Sequence, residues 1–148
     1  MAAWRALASA HAAVTESLSH VLHERTGLPL GWFLVMRRLA EADDRRLRMT
    51  ELAHRTPLSK SGLTRLVDRM VAADFVARRE CPTDRRGAFA ELTDKGQSAL
   101  DAALPVYDQQ IEASFGAHLG DRDAAVLARV LDVVSRKAAD SDPPPVCG

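Results

Sequence analysis

Between Ser59 and Val71 the apolar residues Leu63, Leu66, Val67, Met70 and Val71 recur at three- and four-residue intervals, and Lys60, Ser61, Thr64, Arg65, Asp68 and Arg69 fill the positions between them. A helix with that period buries one face and presents a cationic, hydroxyl-bearing face to solvent. Ser59 is placed to cap it. Upstream, Thr50 is placed to cap a short helix, Glu51–Thr56, in which Leu52 and Ala53 face inward. Pro57 ends that helix, because proline disfavours helical geometry at the residue before it. Two helices meeting at a tight turn, the second carrying arginines and hydroxyls outward, suit insertion into the DNA major groove.

Beyond Asp74 the period changes. Phe75–Glu80 reads as a strand, Pro82–Gly87 as turn chemistry throughout, and Ala88–Leu92 as a returning strand. The hairpin would form a wing beside the second helix. Leu47-Arg48-Met49 is short, and a small strand pairing with that hairpin is one reading of it.

Charge shows the same division. The chain has no net charge, yet Arg45 to Arg86 holds eleven Arg/Lys against five Asp/Glu, and the remainder nine against fifteen. A basic middle between acidic flanks fits a DNA-contacting lobe joined to a separate scaffold. An ordinary solvated surface is the plain alternative.

The flanks read as scaffold helices. Trp4, Leu7, His11, Val14, Leu18, Val21 and Leu22 form one stripe over a helix from Trp4 to about Thr26, with Gly27 as its stop. Leu30–Ala42 is apolar on more than one face and is expected to be largely buried, with Pro29 pre-set for its start. Asp43–Arg46 is a polar turn. Thr93 caps a helix from Asp94 to about Phe115, striped by Leu100, Leu104, Tyr107, Ile111 and Phe115 and interrupted by Pro105, which should remove one hydrogen bond and kink it. Asp121 caps a last helix with Leu127, Val130, Leu131 and Val134. The tail from residue 140 is expected to be disordered. No uninterrupted apolar run reaches membrane-spanning length, and the N-terminus lacks the pattern of a signal peptide. A cytoplasmic location with no membrane partner is the expectation.

This order (helix, helix, helix-turn-helix, wing, helix, helix) resembles the MarR family of bacterial transcription regulators. The wing carries that family's spacing in Asp84, Arg86, Leu92 and Thr93, and Gly96 completes its Leu-Thr-x-x-Gly. Met49–Ala53 and Leu58–Arg69 look like its helix-turn-helix. One departure stands where the family usually has Gly-Leu-Val: here it is Asp74-Phe75-Val76. Asp tolerates a left-handed helix end at a cost of order 1 kcal/mol.

The resemblance implies a mainly α fold with a small β-wing, a winged helix-turn-helix with N- and C-terminal dimerisation helices. It implies one domain over 1–139, with 4–26 and 94–139 as dimerisation helices and 47–93 as the DNA-binding lobe. It implies a homodimer, with which the apolar stripes agree, binding a pseudo-palindromic operator in double-stranded DNA with half-sites roughly 10 bp apart. The expected DNA contacts are Ser59, Lys60, Ser61, Thr64, Arg65 and Arg69, with Asp84, Arg85 and Arg86 at the wing. Asp84 is expected to orient an arginine rather than touch anionic DNA, and at most one of Arg78 and Arg79 should face DNA. A solvated helix face with an Arg65–Asp68 ion pair is the competing reading.

In this family small, often aromatic anions release the DNA. His11, Trp32 and Met36 are the expected lining for such a phenolic effector, against their reading as plain core or interface residues. The function expected is a ligand-responsive repressor. An alternative of the same fold is a thiol-redox regulator through Cys81, or a metal sensor through His20 and His23 with Glu16 and Glu24. A winged helix that binds protein is a further one. Neither a nucleophile–base pair nor a phosphate loop stands out, so no enzyme, cofactor or metal is expected.

Overall fold

A computed structural model describes residues 1–56, 59–81 and 84–140, and for residues 80–81, 84–87 and 139–140 the backbone alone. The helices are α1 (Ala2–Thr26), α2 (Leu30–Ala40), α3 (Met49–His54), α4 (Lys60–Ala72), α5 (Asp94–Ser114) and α6 (Asp121–Asp140), and the strands β1 (Arg46–Arg48), β2 (Val76–Cys81) and β3 (Asp84–Leu92). The chain divides into two compact units, Met1–Gln110 and a second beginning at Ile111.

In the first unit the core is built from one face of each element. Phe33, Met36 and Leu39 of α2 pack with Leu52 of α3, Leu63, Val67 and Met70 of α4, Val76 of β2, Leu92 of β3 and Leu100 of α5. Leu22 of α1 joins them. Phe33 also stacks on Tyr107, with ring centroids 4.6 Å apart. Truncating one such side chain to alanine costs about 2–5 kcal/mol. The burial of α2 on several faces agrees with its composition. The stripe of α1 is fully buried only in its C-terminal half. Leu18 and Leu22 are buried, whereas Trp4 keeps 64% of its surface.

Turn chemistry frames α1 and α2. Gly27 takes φ 72° and donates its N–H to the His23 carbonyl, ending α1. That left-handed geometry is open to glycine without a Cβ penalty. Pro29 is extended and caps α2, its carbonyl accepting from Trp32 and Phe33. The helix stops at Ala40, two residues before the expected Ala42, and Asp43–Arg45 forms a 3-10 turn.

The three strands lie in the order β1-β3-β2, all antiparallel. The short segment before α3 is thus a strand, Leu47 opposite Ala90. It feeds directly into α3, which changes the expected cap. Arg48 is the N-cap, and Thr50 lies inside the helix. Arg48 has the extended backbone geometry of an N-cap but makes no side-chain cap hydrogen bond. α3 ends at His54, not Thr56; the Thr56 hydroxyl donates back to the Leu52 carbonyl. Pro57 and Leu58 lie outside the described residues. β3 begins at Asp84, earlier than the expected Ala88, since cross-strand pairing carries the strand into residues whose composition favours a turn. The register shifts between Glu80 and Cys81.

α4 ends in a Schellman arrangement. Asp74 has φ 65°, Phe75 N donates to the Met70 carbonyl and Asp74 N to the Val71 carbonyl, each at 3.0 Å. The tolerance of Asp for left-handed geometry is therefore used. Thr93 then joins this corner to α5. Its hydroxyl donates to the Asp74 carbonyl at 2.7 Å and accepts from Gly96 N at 2.9 Å, and its N–H donates to the Phe75 carbonyl. A Cβ at residue 96 would overlap the Phe75 carbonyl oxygen. This is the physical content of the Leu-Thr-x-x-Gly pattern. Leu92 anchors in the core, Thr caps both ways, and only Gly fits under the passing backbone.

α5 runs on through Pro105, whose nitrogen has no hydrogen to donate to the preceding turn. The second unit holds the end of α5, a 3-10 turn at Gly116–His118, and α6. Asp121 is the first residue of α6, and the Gly120 carbonyl accepts from Ala124 N, so the cap precedes the expected Asp. Asp140 closes that helix, and the rest of the expected tail lies outside the described residues. Among the described residues no helix is long and apolar enough to cross a membrane.

Candidate nucleic-acid interface

Helix α4 forms as its sequence dictates. The Ser59 hydroxyl accepts from Gly62 N at 3.1 Å, satisfying one of the first-turn donors that a helix leaves open. Leu63, Leu66, Val67 and Met70 are buried. Lys60, Ser61, Thr64, Arg65, Asp68 and Arg69 are all exposed. The expected reading face is therefore one solvent-facing surface.

Its members differ in what holds them. Thr64 donates its hydroxyl to the Lys60 carbonyl at 2.9 Å, and Ser59 lies 3.3 Å from the Ser61 hydroxyl. Both residues are engaged with their own helix. Asp68 does not pair with Arg65. It accepts from Arg78 of β2 at 2.7 Å, so the competing ion pair is replaced by one that ties the helix to the wing strand. Arg79 reaches Glu91 of β3 at 3.2 Å on the other side of the sheet, as alternation requires. Both strand arginines thus face carboxylates. Among the described residues Lys60, Arg65 and Arg69 have no carboxylate partner. Arg55 of the preceding turn pairs with Glu51 at 3.6 Å.

Asp84, Arg85 and Arg86 enter β3, but their side chains, like that of Cys81, lie outside the described residues. The expected effector residues are spread over two helices. His11 is exposed on α1, while Trp32 is half-buried and Met36 is fully buried on α2. His20 pairs with Glu24 at 3.4 Å, and no cluster of three or more potential metal ligands occurs among the described residues.

Some contacts were not legible in the sequence. Lys95 donates to the Ala73 carbonyl at 2.7 Å, and its ammonium stands 4.9 Å from the Phe75 ring centroid. Arg46 and Arg48 of β1 flank Phe89 at 5.6 and 5.3 Å. The only available signal for the latter was the short segment Leu47-Arg48-Met49, for which a strand was one reading.

The model of the MarR family matches residues 26–87, which run from the end of α1 through α2, the helix-turn-helix and β2 into the first part of β3. The chain is also similar to Sco3205 of Streptomyces coelicolor, a MarR family transcriptional regulator solved in complex with DNA. Identity is 30% and the TM-score 0.85, over 91% of this chain and 84% of that one. The chain belongs to the MarR family. A second regulator of the family from the same organism, AbsC, is 28% identical, with a TM-score of 0.87 over 95% of this chain and 94% of its own. The repressor YetL of Bacillus subtilis (strain 168) is 34% identical over 103 residues, which span 68% of this chain and 62% of YetL. Membership of the MarR family also gives the departure at Asp74-Phe75 its interest. The chain retains the left-handed helix end through an aspartate and places an aromatic ring directly after it.

Proposed function

We propose that this chain is a sequence-specific DNA-binding transcription regulator, a repressor acting as a homodimer on a pseudo-palindromic operator in double-stranded DNA. The observation that carries the reading is the exposed face of α4, where Lys60, Arg65 and Arg69 have no carboxylate partner among the described residues and Ser61 and Thr64 stand between them. Arg65 is the side chain assigned to base edges, because a guanidinium can fork onto guanine. Lys60 and Arg69 are assigned to phosphates, and Arg85 or Arg86 to the minor groove at the wing. Ser59 serves through the cap that holds the helix start, and Asp84 by orienting an arginine. The DNA complex of Sco3205 and the repressor YetL support the same reading.

Dimerisation is supported by apolar surface on the flanking helices. Val126, Val130, Val133 and Val134 recur along one side of α6 and keep 41–54% of their surface, and Trp4 is exposed on α1. A second copy of the chain is the occupant proposed for them. A small aromatic or phenolic effector completes the reading, with Trp32 as its principal contact and His11 and Met36 as further lining. A thermal shift on adding phenolic acids, lost in Trp32→Ala, tests that part.

The DNA reading is tested by selecting bound duplexes from a random pool. Enrichment of an inverted repeat with half-sites roughly one helical turn apart is the expected result. Affinity for the selected duplex should fall steeply with salt, as it does when several Lys/Arg neutralise phosphates. A pool that yields no enriched sequence, with weak and salt-independent binding, overturns it.

A further inference from the structure

We propose that Phe75 is the positioning residue of the DNA-reading helix, its ring acting as a joint between α2, α5 and the C-terminal end of α4. The inference rests on the proposed DNA-binding function.

Three elements converge on this ring. Trp32 of α2 meets it edge-on, with centroids 5.4 Å apart and planes at 63°. The Lys95 ammonium of α5 lies 4.9 Å from its centroid. The same ammonium donates to the Ala73 carbonyl at the end of α4, where the helix dipole is negative. The backbone of Phe75 closes α4 through its N–H to Met70, and its carbonyl accepts from Thr93. Ring and main chain of one residue thus fix the helix end to both neighbouring helices.

The aromatic character is what matters. A leucine at this place would also remove apolar surface from water, but it has no quadrupole to hold an ammonium or to favour an edge-on partner. Alkyl packing tolerates rotation that these contacts resist. The leverage is large. From Ala73 back to Lys60 the helix runs ~20 Å at ~1.5 Å per residue, so a tilt of ~3° at the joint moves the reading face by ~1 Å. Hydrogen bonds to base edges weaken steeply over that distance, whereas attraction to the phosphate backbone does not depend on such registration.

The distinction between cognate and random DNA supplies the test. Full-length wild type, Phe75→Leu, Phe75→Tyr and Lys95→Met are titrated with the pool-selected duplex and with a random duplex of equal length at one salt concentration. Phe75→Leu and Lys95→Met are expected to lower the ratio of cognate to random affinity by roughly three- to ten-fold, the range of an aromatic or cation–π contact. Affinity for random DNA should be unchanged. Phe75→Tyr keeps the ring and should restore the wild-type ratio. A merely structural role would reduce the active fraction and lower both affinities together. Lys95 is exposed, so its variant stays informative if Phe75→Leu folds poorly. An unchanged ratio in Lys95→Met and Phe75→Leu, or parallel loss on both duplexes, overturns the proposal while leaving the DNA reading intact. If wild type itself does not prefer the selected duplex, the DNA reading fails and this inference fails with it.

Discussion

Gly96→Ala isolates the packing of the α4–α5 corner, because two known effects oppose each other there. Gly96 is the third residue of α5, and in an unencumbered helix position alanine is better than glycine by up to about 1 kcal/mol. Here the added methyl would overlap the Phe75 carbonyl oxygen and approach Leu92 Cδ1 to 2.6 Å. Neither neighbour can yield easily. The Phe75 carbonyl accepts from Thr93 N, and Leu92 is fully buried. Overpacking of this kind costs about 1–3 kcal/mol and occasionally more. With the carbonyl part of the main chain, the upper half of that range applies, leaving a net loss of about 1–2 kcal/mol. For a chain of this size that lowers Tm by roughly 2–8 °C. Guanidinium and thermal unfolding followed by circular dichroism at one fixed protein concentration measure it, since the proposed dimerisation would make stability concentration-dependent. Gly120→Ala serves as control. No atom lies within 4 Å of its added Cβ, so it reports a clash-free exchange, losing only the roughly 0.5 kcal/mol by which an N-cap prefers glycine to alanine. A Gly96→Ala protein as stable as wild type, or more so, would refute the close approach on which the physical reading of the Leu-Thr-x-x-Gly pattern depends.

Asp74→Gly should stabilise the protein by about 1 kcal/mol, because φ 65° is strained for Asp and free for Gly; a lower denaturation midpoint would contradict this. Ser59→Ala removes the bond to Gly62 N and should cost about 1 kcal/mol in the same unfolding assay, with little change expected for Ser61→Ala. Arg65→Ala should weaken binding to the selected duplex strongly and Arg55→Ala weakly, as Arg55 already faces Glu51; equal losses in a gel-shift series would undo that ranking.

Much of the architecture is written locally. The three- and four-residue spacing of Leu63, Leu66, Val67 and Met70 determines which side of α4 is buried, because helix period is a property of the segment itself. Ser59 as cap, Gly27 as stop and Thr93 ahead of α5 are likewise recognisable from side-chain chemistry within a few residues, whereas the helix end at Asp74 stood out only against the family's glycine. The exposed set on α4 came from the same period. Errors arose where a neighbour in space intervened. β1 hands directly into α3 and takes over the cap from Thr50, and pairing with β2 carries β3 back to Asp84. A single sequence does not show which distant groups will meet. The spacing of Arg65 and Asp68 allowed an ion pair along one helix, yet the folded chain gives Asp68 to Arg78, ten residues on. Nothing about Phe75 alone marks it as the meeting point of Trp32 and Lys95. Trp32 and Lys95 reach it from forty-three residues before and twenty after, and only chain closure over those distances brings both to one ring. Local periodicity and capping thus determined the elements and their faces, and tertiary packing decided which distant groups meet at the end of α4.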